Sequence, residues 1–140
     1  MERLNGNRDG EKDTMLEEKS KGRRVLLVED DKNQRRMCSI AFKLKFPQHE
    51  MKAAGTAREA LEIAREFRPN VILVDFGLPD MDGCELCGCL RGEAGLSDSI
   101  VISLSGRGEP ADFRRSENAG FTRHMVKPPD LDLLESWFHD

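Results

Sequence analysis

The chain has 140 residues, 38% of them apolar, which suffices for one domain with a single core and is too little for two. With 22 basic against 26 acidic residues the formal charge is −4, the wrong sign for a non-specific grip on nucleic acid. No apolar run approaches the roughly 18 residues of a membrane span, and the polar start MERLNGNRDGEKDT is no signal peptide, so a cytoplasmic protein is expected.

Residues 1–22 mix charges of both signs with few apolar positions and cannot bury enough surface to offset the entropy of ordering. They are expected to form a flexible tail, read equally well as a linker to something upstream or as an ordinary terminus. From Arg23 the pattern changes, and 23–140 reads as one folded domain. Val25-Leu26-Leu27-Val28 is a continuous apolar run ending in Glu29-Asp30-Asp31, the pattern of a strand covered on both faces. Met37, Ile40, Ala41 and Leu44 then recur at helical spacing, marking the apolar stripe of a first helix closed by Pro47. His49 to Ala54 is a weaker strand. Thr56 caps a second helix with Ala57, Ala60, Leu61 and Ala64 on its apolar face and Glu59 at the capping-box position.

Pro69-Asn70 ends that helix, and Val71-Ile72-Leu73-Val74 is a second fully apolar strand, stopping at Asp75. Phe76 to Gly83 is a loop with turn signals at Pro79 and Asp82-Gly83, followed by a third helix over about 84–93. Ile100 to Leu104 is the fourth strand, ending at Ser105-Gly106. A polar helix carrying Phe113 and Ala119 runs to Gly120, which suits a left-handed stop. Phe121 to Val126 is the fifth strand, ending at Lys127-Pro128-Pro129. The last helix starts at Asp130, with Leu131, Leu134 and Phe138 on one stripe and Trp137 packing beside them. Five strands alternating with five helices predict an α/β fold, a parallel sheet covered on both faces.

Cys84, Cys87 and Cys89, with Cys38, superficially suggest zinc. A structural zinc site wants four ligands in separated pairs, and no Cys or His pair supplies the other half. Helical spacing also puts 84 and 87 on one face and 89 elsewhere. Free thiols in a reducing compartment are the expectation.

In an open parallel sheet, ligands bind beyond the carboxyl ends of the strands. Glu29 and Asp30 end the first strand, Asp75 the third, Ser105 the fourth and Lys127 the fifth, while the second ends in Ala54-Gly55 with nothing ionisable. Three carboxylates brought together raise one another's pKa unless a cation joins them, and Lys127 alone leaves the group negative. Mg2+ fits, being a hard ion that takes one or two carboxylates and keeps waters. Asp30 and Asp75 would ligate directly, Glu29 through a water, and a backbone carbonyl just past Asp75 would be a third protein ligand. A carboxylate nucleophile, a metal, a hydroxyl and an ammonium are the parts of phosphoryl transfer. The residues thus point to an acyl phosphate on Asp75.

VLLVEDD, VDFGLPDMDG, SLSG and MVKPP together carry a resemblance. Over about Arg24 to Phe138 the chain resembles the receiver domain of two-component response regulators. Ser105 follows Asp75 by 30 positions and Lys127 follows Ser105 by 22, which suits one β/α repeat plus loop each time. The resemblance implies a flavodoxin-like doubly wound (βα)5 fold with strand order 2-1-3-4-5. It implies Asp75 as phosphoacceptor from a phosphohistidine on a sensor histidine kinase or phosphotransfer domain. Asp30 would ligate Mg2+, Glu29 would hold it through water, the Gly77 carbonyl would complete the set, and Ser105 and Lys127 would bind phosphoryl oxygens. Pro128 resembles the residue after a peptide that is usually cis in receivers.

His124 stands where many receivers carry Tyr or Phe as a rotating switch side chain. With GFTRHMVKP it resembles receivers attached to hybrid histidine kinases, and it reads as a packing residue or as a conformational reporter alongside Ser105. Gly77, and Arg107 two residues past Ser105, occupy positions that in the family influence how fast the aspartyl phosphate hydrolyses.

The expected function is a phosphoacceptor signalling module that catalyses only its own modification, either a single-domain regulator or the C-terminal receiver of a hybrid kinase. An aspartate-nucleophile phosphatase would want a second Asp two residues past Asp75 as general acid, and position 77 is Gly. A flavin phosphate would meet acidic residues after the first strand instead of a phosphate loop. The partners expected are the phosphodonor and a downstream protein, with no direct nucleic-acid or membrane contact and a homodimer left open.

Overall fold

The computed structural model describes residues 22–92, 96–106 and 110–138, without the side chains of 110–113; all but the last residue of the tail expected over 1–22, Arg107 and the Phe113 side chain lie outside the described residues. Strands and helices alternate: β1 (Arg24–Val28), α1 (Lys32–Lys45), β2 (Glu50–Ala54), α2 (Ala57–Phe67), β3 (Val71–Asp75), α3 (Gly83–Gly92), β4 (Ile100–Ser105), α4 (Pro110–Ala119), β5 (Arg123–Val126) and α5 (Leu131–Trp137). The five strands pair in parallel in the order β2-β1-β3-β4-β5. This is the flavodoxin-like doubly wound order, and its switch point lies between β1 and β3.

Side-chain alternation along the strands divides the core into two layers. Leu26, Val28, Ile72, Val74 and Val101 pack with Ala60, Ala64, Leu86 and Leu90 of α2 and α3. Val25, Leu27, Leu73, Ile102 and Leu104 pack on the other face with Phe42 of α1 and with Leu134 and Phe138 at α5. β1 and β3 are buried throughout their shared register, which is why they read as unbroken apolar runs.

One helix face differs from expectation. Met37, Ile40, Ala41 and Leu44 form a stripe on α1 as the spacing implied, but the stripe is exposed: Met37 is 71%, Ile40 50% and Leu44 80% accessible. The core takes the other side, where Phe42 and the capping Phe46 are fully buried with Phe138 in an aromatic cluster. Two bulky rings remove more apolar area from water than the thinner aliphatic stripe. The other caps follow local chemistry. Asp31 caps α1 by accepting from the Gln34 amide, Thr56 caps α2 by accepting from the Glu59 amide, and Asp130 caps α5 through the Leu133 amide. The Glu59 carboxylate reaches back to the Gly55 amide, one residue before the cap. Gly120 has φ +94°, the left-handed stop expected after α4.

Cys84 is half-buried, Cys87 buried and Cys89 exposed on α3, and all four cysteines are free thiols. Among the described residues no helix is long and apolar enough to cross a membrane.

Candidate functional site

Val28 pairs with Val74, so the turn after β1 emerges beside the end of β3. Carboxylate oxygens of Glu29, Asp30 and Asp75 lie within 4.8 Å of one another. Glu29 and Asp75 are buried, whereas Asp30 is exposed. The Asp31 amide donates to Glu29 Oε2 at 3.1 Å, and the Gly77 amide donates to Asp75 Oδ1 at 3.0 Å. Lys127, delivered by the end of β5, places Nζ 2.8 Å from Glu29 Oε1 and 2.8 Å from Asp75 Oδ2. It also donates to Gln34 Oε1 at 3.4 Å. The Lys127–Pro128 peptide is cis, as the resemblance implied.

Charge and burial compete here. Burial pushes the Glu29 carboxyl up and the Asp75 charge adds to it, and hydrogen bonds from Lys127 and the Asp31 amide only partly offset this. For Asp75 burial also pushes up, but hydrogen bonds from Lys127 and the Gly77 amide and the nearby ammonium outweigh it and hold the carboxyl below its ordinary range. Burial would lower Lys127, yet Asp75 and Glu29 draw it upward. The Asp75 carboxylate is therefore ionised and fixed, while Glu29 is the group that gives way to protons first.

One ammonium does not neutralise three clustered carboxylates. An all-oxygen donor set with an exposed member, Asp30, fits a hard divalent ion that retains water. Glu29, Asp30 and Asp75 would hold it.

Ser105 is buried at the end of β4 and shares a hydrogen bond with His124 Nε2 at 3.2 Å. His124 is half-buried on β5, in register with Ser103, and its Nδ1 shares a second hydrogen bond with Ser103 Oγ at 2.5 Å. Ser103 Oγ in turn lies 2.8 Å from Ser116 Oγ on α4. The Phe76 ring centroid is 6.0 Å from that of His124.

Several participants carry no mark in the sequence. Arg35 on α1 donates to the carbonyl oxygens of Glu29 and Asp30. Asp80 accepts from the Ala57 and Arg58 amides, tying the loop after Asp75 to the start of α2. Arg115 pairs with Asp82 at 2.8 Å and sits 5.2 Å from the Phe76 ring centroid, tying α4 to the same loop. Each is a polar residue on a polar face, so only the fold shows what it reaches.

The family model of the response regulator receiver domain matches residues 25–138. The regulatory protein AtoC of Escherichia coli is 33% identical over 112 residues, covering 79% of this chain and 23% of that protein. The transcriptional regulatory protein KdpE of Mycobacterium tuberculosis is 32% identical over 108 residues, covering 77% of this chain and 46% of that protein. The chain thus spans less than half the length of either relative. The solved structure of the chemotaxis response regulator CheY4 of Vibrio cholerae matches with a TM-score of 0.74 at 28% identity, covering 82% of this chain and 98% of that one.

Proposed function

Since this chain belongs to the response regulator receiver domain family, we propose that Asp75 accepts a phosphoryl group from a phosphohistidine and that the modified domain signals through a protein partner. The observation that carries this reading is the Lys127 ammonium bridging Asp75 Oδ2 and Glu29 Oε1 at 2.8 Å each, inside the three-carboxylate cluster. A carboxylate held ionised beside a fixed cation is a ready oxygen nucleophile in a site that accommodates the charge of a transferring phosphoryl group.

In the transfer, a carboxylate oxygen of Asp75 attacks phosphorus, the new P–O bond forms, and the P–N bond to the donor imidazole breaks. Lys127 moves from pairing two carboxylates to pairing a phosphoryl oxygen, and the Ser105 hydroxyl donates to another. Mg2+ held by Glu29, Asp30, Asp75 and the Gly77 carbonyl would neutralise charge on the phosphoryl oxygens. The group that the domain modifies is its own, so the product is a switched protein, not a released metabolite.

The donor, a sensor histidine kinase or phosphotransfer domain, would dock on an apolar surface of this chain. Met37 and Ala41 of the exposed stripe line a cavity of about 510 Å3 between α1 and the segment after β5, together with Cys38, Leu104, Pro129 and Leu131, and it reaches Lys127. An apolar helix pair on the donor would cover this stripe and bring its histidine to Asp75.

The test is incubation with acetyl phosphate or a phosphorylated histidine kinase, with and without Mg2+, read by intact mass. A phosphoryl increment that requires Mg2+ and vanishes in Asp75→Asn is expected. An increment that persists in Asp75→Asn, or none with any donor, would overturn the reading.

A further inference from the structure

Ser103, Ser105 and His124 lie on the sheet face that α4 covers. Their polar atoms form an unbroken row: Ser105 Oγ to His124 Nε2 at 3.2 Å, His124 Nδ1 to Ser103 Oγ at 2.5 Å, and Ser103 Oγ to Ser116 Oγ at 2.8 Å. Ser103 is fully buried and Ser116 is 2% exposed, so these hydroxyls depend on protein partners. One end of the row sits beside the acceptor site and the other on a helix whose neighbouring residues Arg114, Arg115 and Glu117 face solvent.

We propose that His124 is a positioning residue whose neutral imidazole changes tautomer on phosphorylation, reversing the direction of this row and carrying the state of Asp75 to Ser116 on α4. This rests on the phosphoacceptor reading. Each hydroxyl carries one proton and a neutral imidazole one N–H. When Ser105 donates to a phosphoryl oxygen, it has no proton left for His124. Its bond to His124 then survives only with Nε2–H as donor, which makes Nδ1 an acceptor. Ser103 must donate to Nδ1, and its bond to Ser116 then survives only with Ser116 donating. The unmodified geometry admits either direction and is here assigned the opposite one: Ser105 donates to Nε2, Nδ1–H donates to Ser103, and Ser103 donates to Ser116. The change moves one proton from Nδ1 to Nε2 through water and leaves the net charge of the row unaltered.

Swinging His124 outward instead would cost the buried Ser103 one of its two side-chain partners and leave it Ser116 alone, which the reversal avoids. A phenol or phenyl ring at this position cannot perform the exchange, because it carries no ring nitrogen.

The experiment follows the histidine ring nitrogens of the full chain by isotope-edited NMR in Mg2+, before and after adding beryllofluoride. The expected result is an Nδ1–H tautomer for His124 before and an Nε2–H tautomer after, with the Ser116 amide shifting in step. Ser103→Ala and Ser116→Ala should still form the adduct, the first giving a tautomer mixture and both a smaller shift along α4. An adduct in which His124 keeps its tautomer, becomes charged or loses its hydrogen bonds overturns the proposal and leaves the phosphoacceptor reading standing. Absence of any adduct overturns both.

Discussion

The Arg35 guanidinium fills the space beside Gly55: a Cβ on that glycine would meet Nη1 at 2.8 Å. The same nitrogen donates to the carbonyl oxygens of Glu29 at 2.9 Å and of Asp30 at 3.3 Å, so α1 clamps the turn from which both carboxylates reach Asp75. Partners that orient metal ligands are typically worth about 10- to 100-fold in metal affinity. Arg35→Ala is expected to weaken Mg2+ binding by that order in calorimetric titration. Gly55→Ala displaces only the far end of a flexible side chain, so its cost in stability should stay within about 1 kcal/mol while Mg2+ affinity falls. Unchanged affinity in Arg35→Ala would show that the turn holds its shape without the clamp.

Lys127 is shared by two buried carboxylates, and its side chain is 20% exposed. Lys127→Ala leaves both without their cation, and losing one partner of a buried pair costs roughly 3–5 kcal/mol, here at the lower end because water reaches the lysine. The sign with pH also inverts. In the intact chain Asp75 lies below its ordinary value, so its contribution is present above that value and is lost as pH falls through the lowered one. Without Lys127, only the Gly77 amide and Glu29 still oppose burial at Asp75, and Glu29 loses the main partner that offsets its upward push, so stability is lost as pH rises through the raised Glu29 value. Urea midpoints should show the deficit growing from about pH 4 to about pH 7. A deficit that shrinks over that interval would refute the assignment.

The faces of α1 separate packing from surface. Phe42 is fully buried, with its ring centroid 5.0 Å from Phe46 and 6.4 Å from Phe138. Phe42→Ala should cost about 3–5 kcal/mol in chemical denaturation. Leu44→Ser, on a side chain 80% exposed, should change stability by less than about 0.5 kcal/mol. Under the proposed function the same Leu44→Ser, paired with Ile40→Ser, should slow transfer from a kinase while leaving acetyl phosphate labelling intact. Equal slowing with both donors would place the stripe's role outside docking.

Why the strands and the acidic cluster were legible, and α1 was not, follows from periodicity. β1, β3 and β4 are buried on both faces, so their apolar runs admit one reading, and the residue after each run falls at the switch-point edge. Glu29, Asp75 and Ser105 were therefore placed by chain position alone, and Lys127 by following the shorter, partly exposed β5. α1 carries two apolar stripes, and spacing cannot rank Met37, Ile40 and Leu44 against Cys38, Phe42 and Phe46 without the sheet they meet. Ser103 and Ser116 were invisible for a related reason. A serine inside an apolar strand and one on a polar helix look ordinary until β4, β5 and α4 bring them to His124.

Cys38 tests the electrostatic reach of the cluster from outside it. Its thiol is pushed up to about 11, first by burial and then by the Glu29 charge. The protonated form is thus favoured on folding, a contribution fully present below the ordinary thiol value of 9.0 and lost as pH rises through about 11. Near pH 8 the reactive thiolate should be roughly 100-fold scarcer at Cys38 than at an unperturbed thiol. Alkylation followed by peptide mass mapping should accordingly modify the exposed Cys89 well before Cys38. Glu29→Gln removes one of the two causes, so Cys38 should react faster in that variant at the same pH. Cys38 labelling at the Cys89 rate in the intact chain, or no acceleration in Glu29→Gln, would mean that the carboxylate field does not extend across α1.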